Sequence, residues 1–244
     1  MACILCAENG YAEIGKKRGY TIVKCAGCGF VYTTPLPAED ELVTLTKKRS
    51  SNFKPHVSIS RTIRYRLFAS SVKRLFPRNK SIRLLEVGCN HGNFLSVVKS
   101  DARFVATGID LNSAALEYAR GRGLNVLDGI LESHKFPSGS FDVVVALHVI
   151  EHFHDPIRTL SEIHRILSEG GMLISVVPCV THIKARLAGI NWKYFGPPSH
   201  LWYFSPATFA MLLEKTGFTP TFSSSFYNRA HLKTIAKKVS PKRP

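Results

Sequence analysis

The stretch Ile82 to Asn93, IRLLEVGCNHGN, limits this chain to a narrow set of folds. An apolar run of β type ends at an acid, Glu86, and turns through Gly88, Asn90 and Gly92 into an amphipathic segment. Glycine reaches positive φ and lets a ligand approach the backbone, and the first amides of the following helix face electron-rich groups. A second apolar run, FVATGID, ends at Asp110, 22 residues beyond Gly88, where a neighbouring parallel strand would end. A carboxylate at that point can accept both hydroxyls of a ribose. The G-x-G-x-x-G spacing that would hold a dinucleotide is absent.

The alternation continues. Strands are expected at 82–87, 104–109, 124–127, 141–146 and 172–177, and helices at 93–100 and at 113–122 behind an Asn112 cap. Asp155 and Pro156 open a further helix with Ile157, Leu160, Ile163, Ile166 and Leu167 on its buried face. Ser205-Pro206 opens a helix running to Lys215, and a last strand is expected near 221–226. This order predicts an α/β fold, an open, mostly parallel sheet with helices on both faces and ligands at the carboxyl ends of its strands.

Before the sheet, Cys3-x-x-Cys6 and Cys25-x-x-Cys28 lie 18 residues apart. Two such knuckles can place four thiolates around a structural Zn²⁺ with no position left for water, and so short a segment needs a staple. A redox C-x-x-C would instead sit at a helix start in a βαβ unit. The expected segments are a zinc ribbon at 1–37, a linker with a basic amphipathic helix at 38–80, the sheet domain at 81–228 and a basic tail at 229–244. From a Ser60 cap, the helix is expected to bury Ile63, Leu67, Phe68, Val72, Leu75 and Phe76. Its other face carries Arg61, Arg64, Lys73 and Arg74.

The net charge of +16 is uneven. Residues 1–80 carry 15 Lys and Arg against 5 acids, 81–228 carry 12 of each, and 229–244 carry 6 against none. Any partner chosen by positive charge therefore belongs to the flanks, although such charges also simply aid solubility. No apolar run approaches the ~20 residues that span a bilayer, and no secretory core opens the chain, so a cytoplasmic location is expected.

The run E-x-G-x-x-x-G-x-F from Glu86 to Phe94, then GID at 108–110 and FPSGSFDVVVALHVIEH at 136–152, resembles the class I S-adenosylmethionine-dependent methyltransferases. The likeness spans about 81–226. It implies a Rossmann-like domain that binds S-adenosylmethionine through Glu86, Gly88, Asn90, Gly92, Asp110, Leu111 and Asp128, the last accepting from the adenine amino group. Asn90 replaces the middle glycine of the usual G-x-G-x-G, and Asn tolerates positive φ. Asp128 before Gly129 also reads as a turn residue.

The N/D-P-P-Y/F tetrad of amino-group methyltransferases is missing, which points to oxygen or carbon as the accepting atom. His148, Glu151 and His152 stand at i, i+3 and i+4. One histidine can act as a base. The resemblance to ubiquinone-type O-methyltransferases alternatively implies a divalent metal at His148, Glu151 and His152, with His148 in place of a glutamate. A third reading has Glu151 and His152 capping the next helix. The run P-P-x-H-L-x-x-F-S from Pro197 to Ser205 is similar to the acceptor lid of zinc-ribbon methyltransferases, which makes His200 a candidate base; a rigid loop is the other reading. Pro178-Cys179 lacks the partners that activate a thiolate nucleophile and reads as a small buried thiol.

The resemblance implies methyl transfer to a small molecule, such as a nucleotide sugar, a glycan precursor or a secondary metabolite, with a phosphate-bearing acceptor suited to the basic flank. An RNA methyltransferase gripping nucleic acid through its flanks, or a binding module that kept only the fold, are the alternatives.

Overall fold

A computed structural model describes residues 1–50, 58–78, 80–222 and 231–239. Strands β1 (Tyr11–Lys17), β2 (Tyr20–Cys25), β3 (Val31–Thr34), β4 (Ile82–Val87), β5 (Phe104–Asp110), β6 (Val126–Asp128), β7 (Phe141–Leu147), β8 (Leu167–Pro178), β9 (Trp202–Tyr203), β10 (Phe218–Phe222) and β11 (His231–Lys238) form two sheets. Helices are α1 (Glu39–Ser50), α2 (Ile59–Arg74), α3 (Asn93–Val98), α4 (Ser113–Gly121), α5 (Pro156–Ile166), α6 (Ile183–Ala188) and α7 (Pro206–Lys215). The smaller sheet runs β1-β2-β3-β9 and the larger β10-β11-β8-β7-β4-β5-β6. Pairs β4–β5 and β5–β6 are parallel, and the edge pair β10–β11 is antiparallel.

The chain forms two compact units. The first holds Met1–Leu42, Ala146–His164 and Leu173–Pro244, the second Val43–Val145 and Arg165–Met172. These units cut across the four segments expected from sequence. The ribbon is not closed on itself: β3 pairs with β9 in the register Val31↔Tyr203 and Tyr32↔Trp202, so a segment some 170 residues downstream completes its sheet.

In the second unit, the apolar run of β4 buries Ile82, Leu84, Leu85 and Val87, and Val143, Val144 and Val145 of β7 are buried as a central strand requires. Asp142, also buried, accepts hydrogen bonds from Lys80 Nζ at 3.0 Å, the Arg83 backbone amide at 2.9 Å and side chain at 3.1–3.2 Å, and Ser168 Oγ at 3.1 Å. Burial alone would raise its pKa. The Arg83 and Lys80 bonds outweigh burial and hold the carboxyl well below the usual range.

Two expectations are corrected. The basic tail at 229–244 contains β11, whose Thr234 and Ala236 are buried while Lys237 is exposed, an alternation masked in the sequence by its lysines. The last strand is Phe218–Phe222; positions 223–226 of the expected one lie outside the described residues. The second correction concerns α2, which starts after Ser58 and not Ser60. It buries Ala69 and Val72 and turns Phe68 and Tyr65 onto Phe94 of α3, with ring centroids 5.2 and 5.7 Å apart. That aromatic contact fixes its rotation and leaves Ile63, Leu67 and Leu75, expected inside, on the surface.

Candidate functional site

The residues expected on the cofactor side lie in the second unit, at the carboxyl ends of β4, β5 and β6. Gly88, Asn90 and Gly92 all take positive φ, at 75°, 49° and 72°. The requirement for glycine is steric as well as conformational at Gly92, where a Cβ would collide with Leu124 and press on Ala119 at 3.4 Å. Gly108 is crowded as well: a Cβ there would lie 2.5 Å from Leu95 Cδ1 and 2.7 Å from Cys89 Sγ, so β5 can pack under the turn only without a side chain.

Asp110 is fastened by the turn it serves. Its Oδ2 accepts the Asn90 amide at 2.7 Å and its Oδ1 the Asn112 amide at 2.9 Å, which aims the carboxylate and leaves lone pairs on each oxygen. Burial raises its pKa, with Asp128 adding a smaller push, against those amides. Asp128 pairs in register with Asp110 and accepts Ser113 Oγ at 2.7 Å. Leu111 follows Asp110 half-buried. Glu86 is buried, and its Oε2 has no hydrogen-bond partner among the described residues. Burial and then the charge of Asp110 raise its pKa well above the carboxylate range. An orphaned buried acid below an open left-handed turn suits a polar, positively charged ligand. Sequence reading overlooked Tyr65, whose hydroxyl pKa is raised by burial and by Glu86.

The first unit holds the histidines. His148, just past β7, takes φ 57° and donates its backbone amide to Val176 at 2.8 Å. Glu151 and His152 sit on a single 3₁₀ turn, Ile150–His152. His152 Nδ1 bonds the Ser199 carbonyl at 2.7 Å, and His200 Nδ1 the Tyr194 carbonyl at 2.8 Å. A carbonyl accepts only from N–H, so both rings carry their proton on Nδ1 and their basic lone pair on Nε2. The two rings meet edge to face with centroids 4.6 Å apart. Ligand atoms of Glu151, His152 and His200 all lie within 4.8 Å of one another.

His148 is not part of that group. Its Nδ1 stands 3.8 Å from Glu151 Oε1, and its ring packs on His231 at 4.6 Å. Of the expected trio, Glu151 and His152 are gathered with His200, while the His148 ring lies against His231 of β11. Burial pushes the Glu151 carboxyl up to about 8, and its Oε2 has no partner among the described residues. Partial burial, then His231 and His200, lower His148 to about 4.

Three contributors lie outside the expected site residues. Tyr194 stacks on His200 and shares a 2.6 Å hydrogen bond with His231 Nε2. Thr33 of β3 donates its hydroxyl to the His200 carbonyl at 3.2 Å, and Tyr203 Oη donates to the same carbonyl at 2.8 Å. The Thr33 amide adds a bond to the Leu201 carbonyl at 2.9 Å. The P-P-x-H-L run hinted at a fixed loop, but its anchor, a strand of the ribbon, is too distant in sequence to infer. Cys179 is buried with its Sγ 3.3 Å from Thr181 Oγ1, the small buried thiol expected.

At the ribbon, Cys3, Cys6, Cys25 and Cys28 form one group, with Cys3–Cys28 and Cys6–Cys25 sulfurs 3.6 and 3.5 Å apart. Sulfurs 2.3 Å from one ion stand about 3.8 Å apart at tetrahedral angles, whereas a disulfide closes to ~2.05 Å. The residue after each knuckle, Ala7 or Gly29, adopts positive φ, 61° and 73°.

The methyltransferase domain family profile matches residues 60–221. A protein of Mycolicibacterium smegmatis named a probable S-adenosylmethionine-dependent methyltransferase is 32% identical over 149 residues, 60% of this chain and 55% of that one. A rice chloroplast protein named 2-methyl-6-phytyl-1,4-hydroquinone methyltransferase 2 is 30% identical over 123 residues, covering 48% of this chain and 35% of that one. The chain thus spans about half the length, or less, of these curated relatives. A chain from the complex of the Haloferax volcanii Trm112 methyltransferase activator with a putative methyltransferase superposes with TM-score 0.60 at 17% identity, over 84% of this chain and all of that one. At that identity the likeness is one of fold.

Proposed function

This chain belongs to the methyltransferase domain family, and from that premise we propose that it transfers a methyl group from S-adenosylmethionine to an oxygen or carbon of a small molecule. The observation that carries the acceptor chemistry is the pair His152 and His200, whose Nδ1 atoms are tied to carbonyls so that each imidazole offers Nε2 as a base. When bound, S-adenosylmethionine supplies an electrophilic methyl on a sulfonium. Asp110 holds the ribose hydroxyls, Leu111 and Asp128 the adenine, and Glu86 with the turn of Gly88, Asn90 and Gly92 the polar remainder. His200, fixed from behind by Thr33 and Tyr203, takes the proton of the acceptor, with the His152 ring edge to face beside it. Positioning and exclusion of water supply the rest.

A second reading has its own observation. The divalent cation expected on Glu151 and His152 would take His200 as its third ligand instead of His148, a two-histidine, one-carboxylate set suited to transition metals. For the four cysteines, the sulfur separations support one structural Zn²⁺. Among the described residues no helix is long and apolar enough to cross a membrane.

A hydroquinone hydroxyl or an enolisable sugar carbon, both of which need a base, suits this site better than an amine. The deciding experiment offers labelled S-adenosylmethionine with hydroquinone, nucleotide-sugar and RNA fractions to the wild type and to His200→Ala and His152→Ala. A positioned base contributes roughly 10²–10⁴-fold, so at least one variant should lose turnover on that scale while cofactor affinity holds. Near-wild-type turnover in both would leave catalysis to positioning alone and sink the assignment.

A further inference from the structure

Helix α2 buries Val72 and packs Phe68 on Phe94, but it leaves Ile63, Leu67 and Leu75 of the expected stripe exposed. Ile59, Ile63 and Leu67 are 81%, 51% and 64% exposed, and their four-residue spacing lines them along one ridge. At about 100° per residue, Arg64 and Arg66 fall on opposite sides of the ridge and Arg74 continues its line. All three arginines are exposed, and no Asp or Glu occurs between residues 59 and 80. Beside the ridge, Arg66, Ser70 and Lys73 wall an open recess of about 250 Å³ that Ser100 and Asp101 close on the other side. Lys73 is ion-paired with Asp101 and Ser100 Oγ donates to the Val97 carbonyl at 2.7 Å, so Arg66 and the Ser70 hydroxyl are the groups that would meet an anion there.

The pattern recurs in the other unit. On α6, Ile183 and Leu187 are 56% and 81% exposed at the same spacing, next to exposed Lys184 and Arg186. No acid occurs from residue 179 to 213. Aliphatic ridges exposed to water are uncommon on soluble surfaces and mark contacts. Nucleic acid would favour aromatic faces among the cations, whereas aliphatic tips flanked along their own helices by cations and no acid fit the boundary between acyl chains and anionic headgroups.

We propose that α2 is an interfacial contact with an anionic phospholipid bilayer, with α6 carrying a second. Ile59, Ile63 and Leu67 enter the acyl boundary, Arg64 and Arg74 lie on headgroup phosphates, and the recess at Arg66 receives one headgroup. The contact draws the protein to a surface where long-chain acceptors are dissolved, but it does not depend on methyl transfer.

The test is co-sedimentation of the full chain with vesicles of phosphatidylcholine alone or mixed with phosphatidylglycerol, at low and high salt. The wild type should pellet with the anionic vesicles and remain partly bound at high salt, because the ridge is unaffected by screening. Ile63→Glu with Leu67→Glu should weaken binding at least about tenfold. Each of Arg64→Gln, Arg66→Gln and Arg74→Gln should weaken it about fivefold, with the preference for anionic lipid fading as they combine. Circular dichroism and S-adenosylmethionine affinity monitor folding. Should the double glutamate variant not fold, Leu67→Trp replaces it: the native Trp192 and Trp202 are both buried, so a blue shift and quenching by brominated acyl chains report position 67. Wild type left in the supernatant with both vesicle types, unaltered binding by the glutamate variant, no emission shift in the Leu67→Trp variant, or complete displacement from vesicles by RNA would each overturn the proposal.

Discussion

The two units build their candidate sites in opposite ways. In the second, the crevice at Asp110 is made of consecutive backbone: three left-handed residues in a five-residue turn and a carboxylate clasped by two amides within 22 residues of chain. In the first, His200 is placed by side chains and strands contributed by residues 33, 152, 194 and 203, and His148 and Tyr194 are joined by His231. A site of local backbone is robust to distant change and sensitive to its own glycines. A site assembled over long range fails wherever any of its supports fails.

The ribbon is the most remote of those supports, so it offers the largest break. Cys25→Ser should release zinc, loosen β1–β3, and through the lost Thr33 and β9 contacts lower turnover at least about a hundredfold while S-adenosylmethionine affinity stays within about twofold. Zinc analysis, circular dichroism and calorimetry on one preparation check all three. Equal loss of affinity and turnover would show that the two regions do not fail separately.

The reciprocal change is Asp110→Ala, which should weaken S-adenosylmethionine by about 10–100-fold, a charge-assisted contact of roughly 1.5–3 kcal/mol. It also frees the Asn90 and Asn112 amides, so the melting temperature should drop as well. Calorimetry giving wild-type affinity would remove Asp110 from the cofactor site.

Acid should unfold the second unit through Asp142. Its folded pKa lies below the ordinary 3.8, so the stability it contributes is present above that value and lost as pH falls through it towards the folded pKa. The pair is worth on the order of 2 kcal/mol, since Lys80 and Arg83 are half-exposed. Asp142→Asn should flatten the acid limb of a stability-against-pH curve; an unchanged limb would assign it to other groups.

Thr33→Val is the finest probe. It removes one neutral hydrogen bond to the His200 carbonyl, about 1 kcal/mol, and should lower kcat several-fold with KM unchanged and the bell of the pH profile shifted. A purely structural Thr33 would alter melting temperature and leave the pH profile alone.

The same contrast explains what could be read from the chain. The sheet strands, the turn and Asp110 were legible because short, nearly continuous apolar runs and turn glycines are local signals. The pairing of β3 with β9 and the strand hidden in HLKTIAKK were not, since neither carries a mark of its partner. α2 misled for a different reason. Both Ile59/Ile63/Leu67 and Tyr65/Phe68/Ala69/Val72 form helical stripes, and only Phe94 decides between them.

Glu86 has a consequence beyond shape. A carboxyl buried with one oxygen unpaired resists ionisation, so the crevice by itself stores a proton at pH values where a surface glutamate would have lost it. A positively charged guest favours the ionised form, whereas a neutral one does not. The crevice therefore keeps a proton inventory. The binding heat of a sulfonium in the crevice should therefore depend more on the ionisation enthalpy of the buffer than that of the corresponding thioether, and equal dependence would show that Glu86 exchanges no proton on binding.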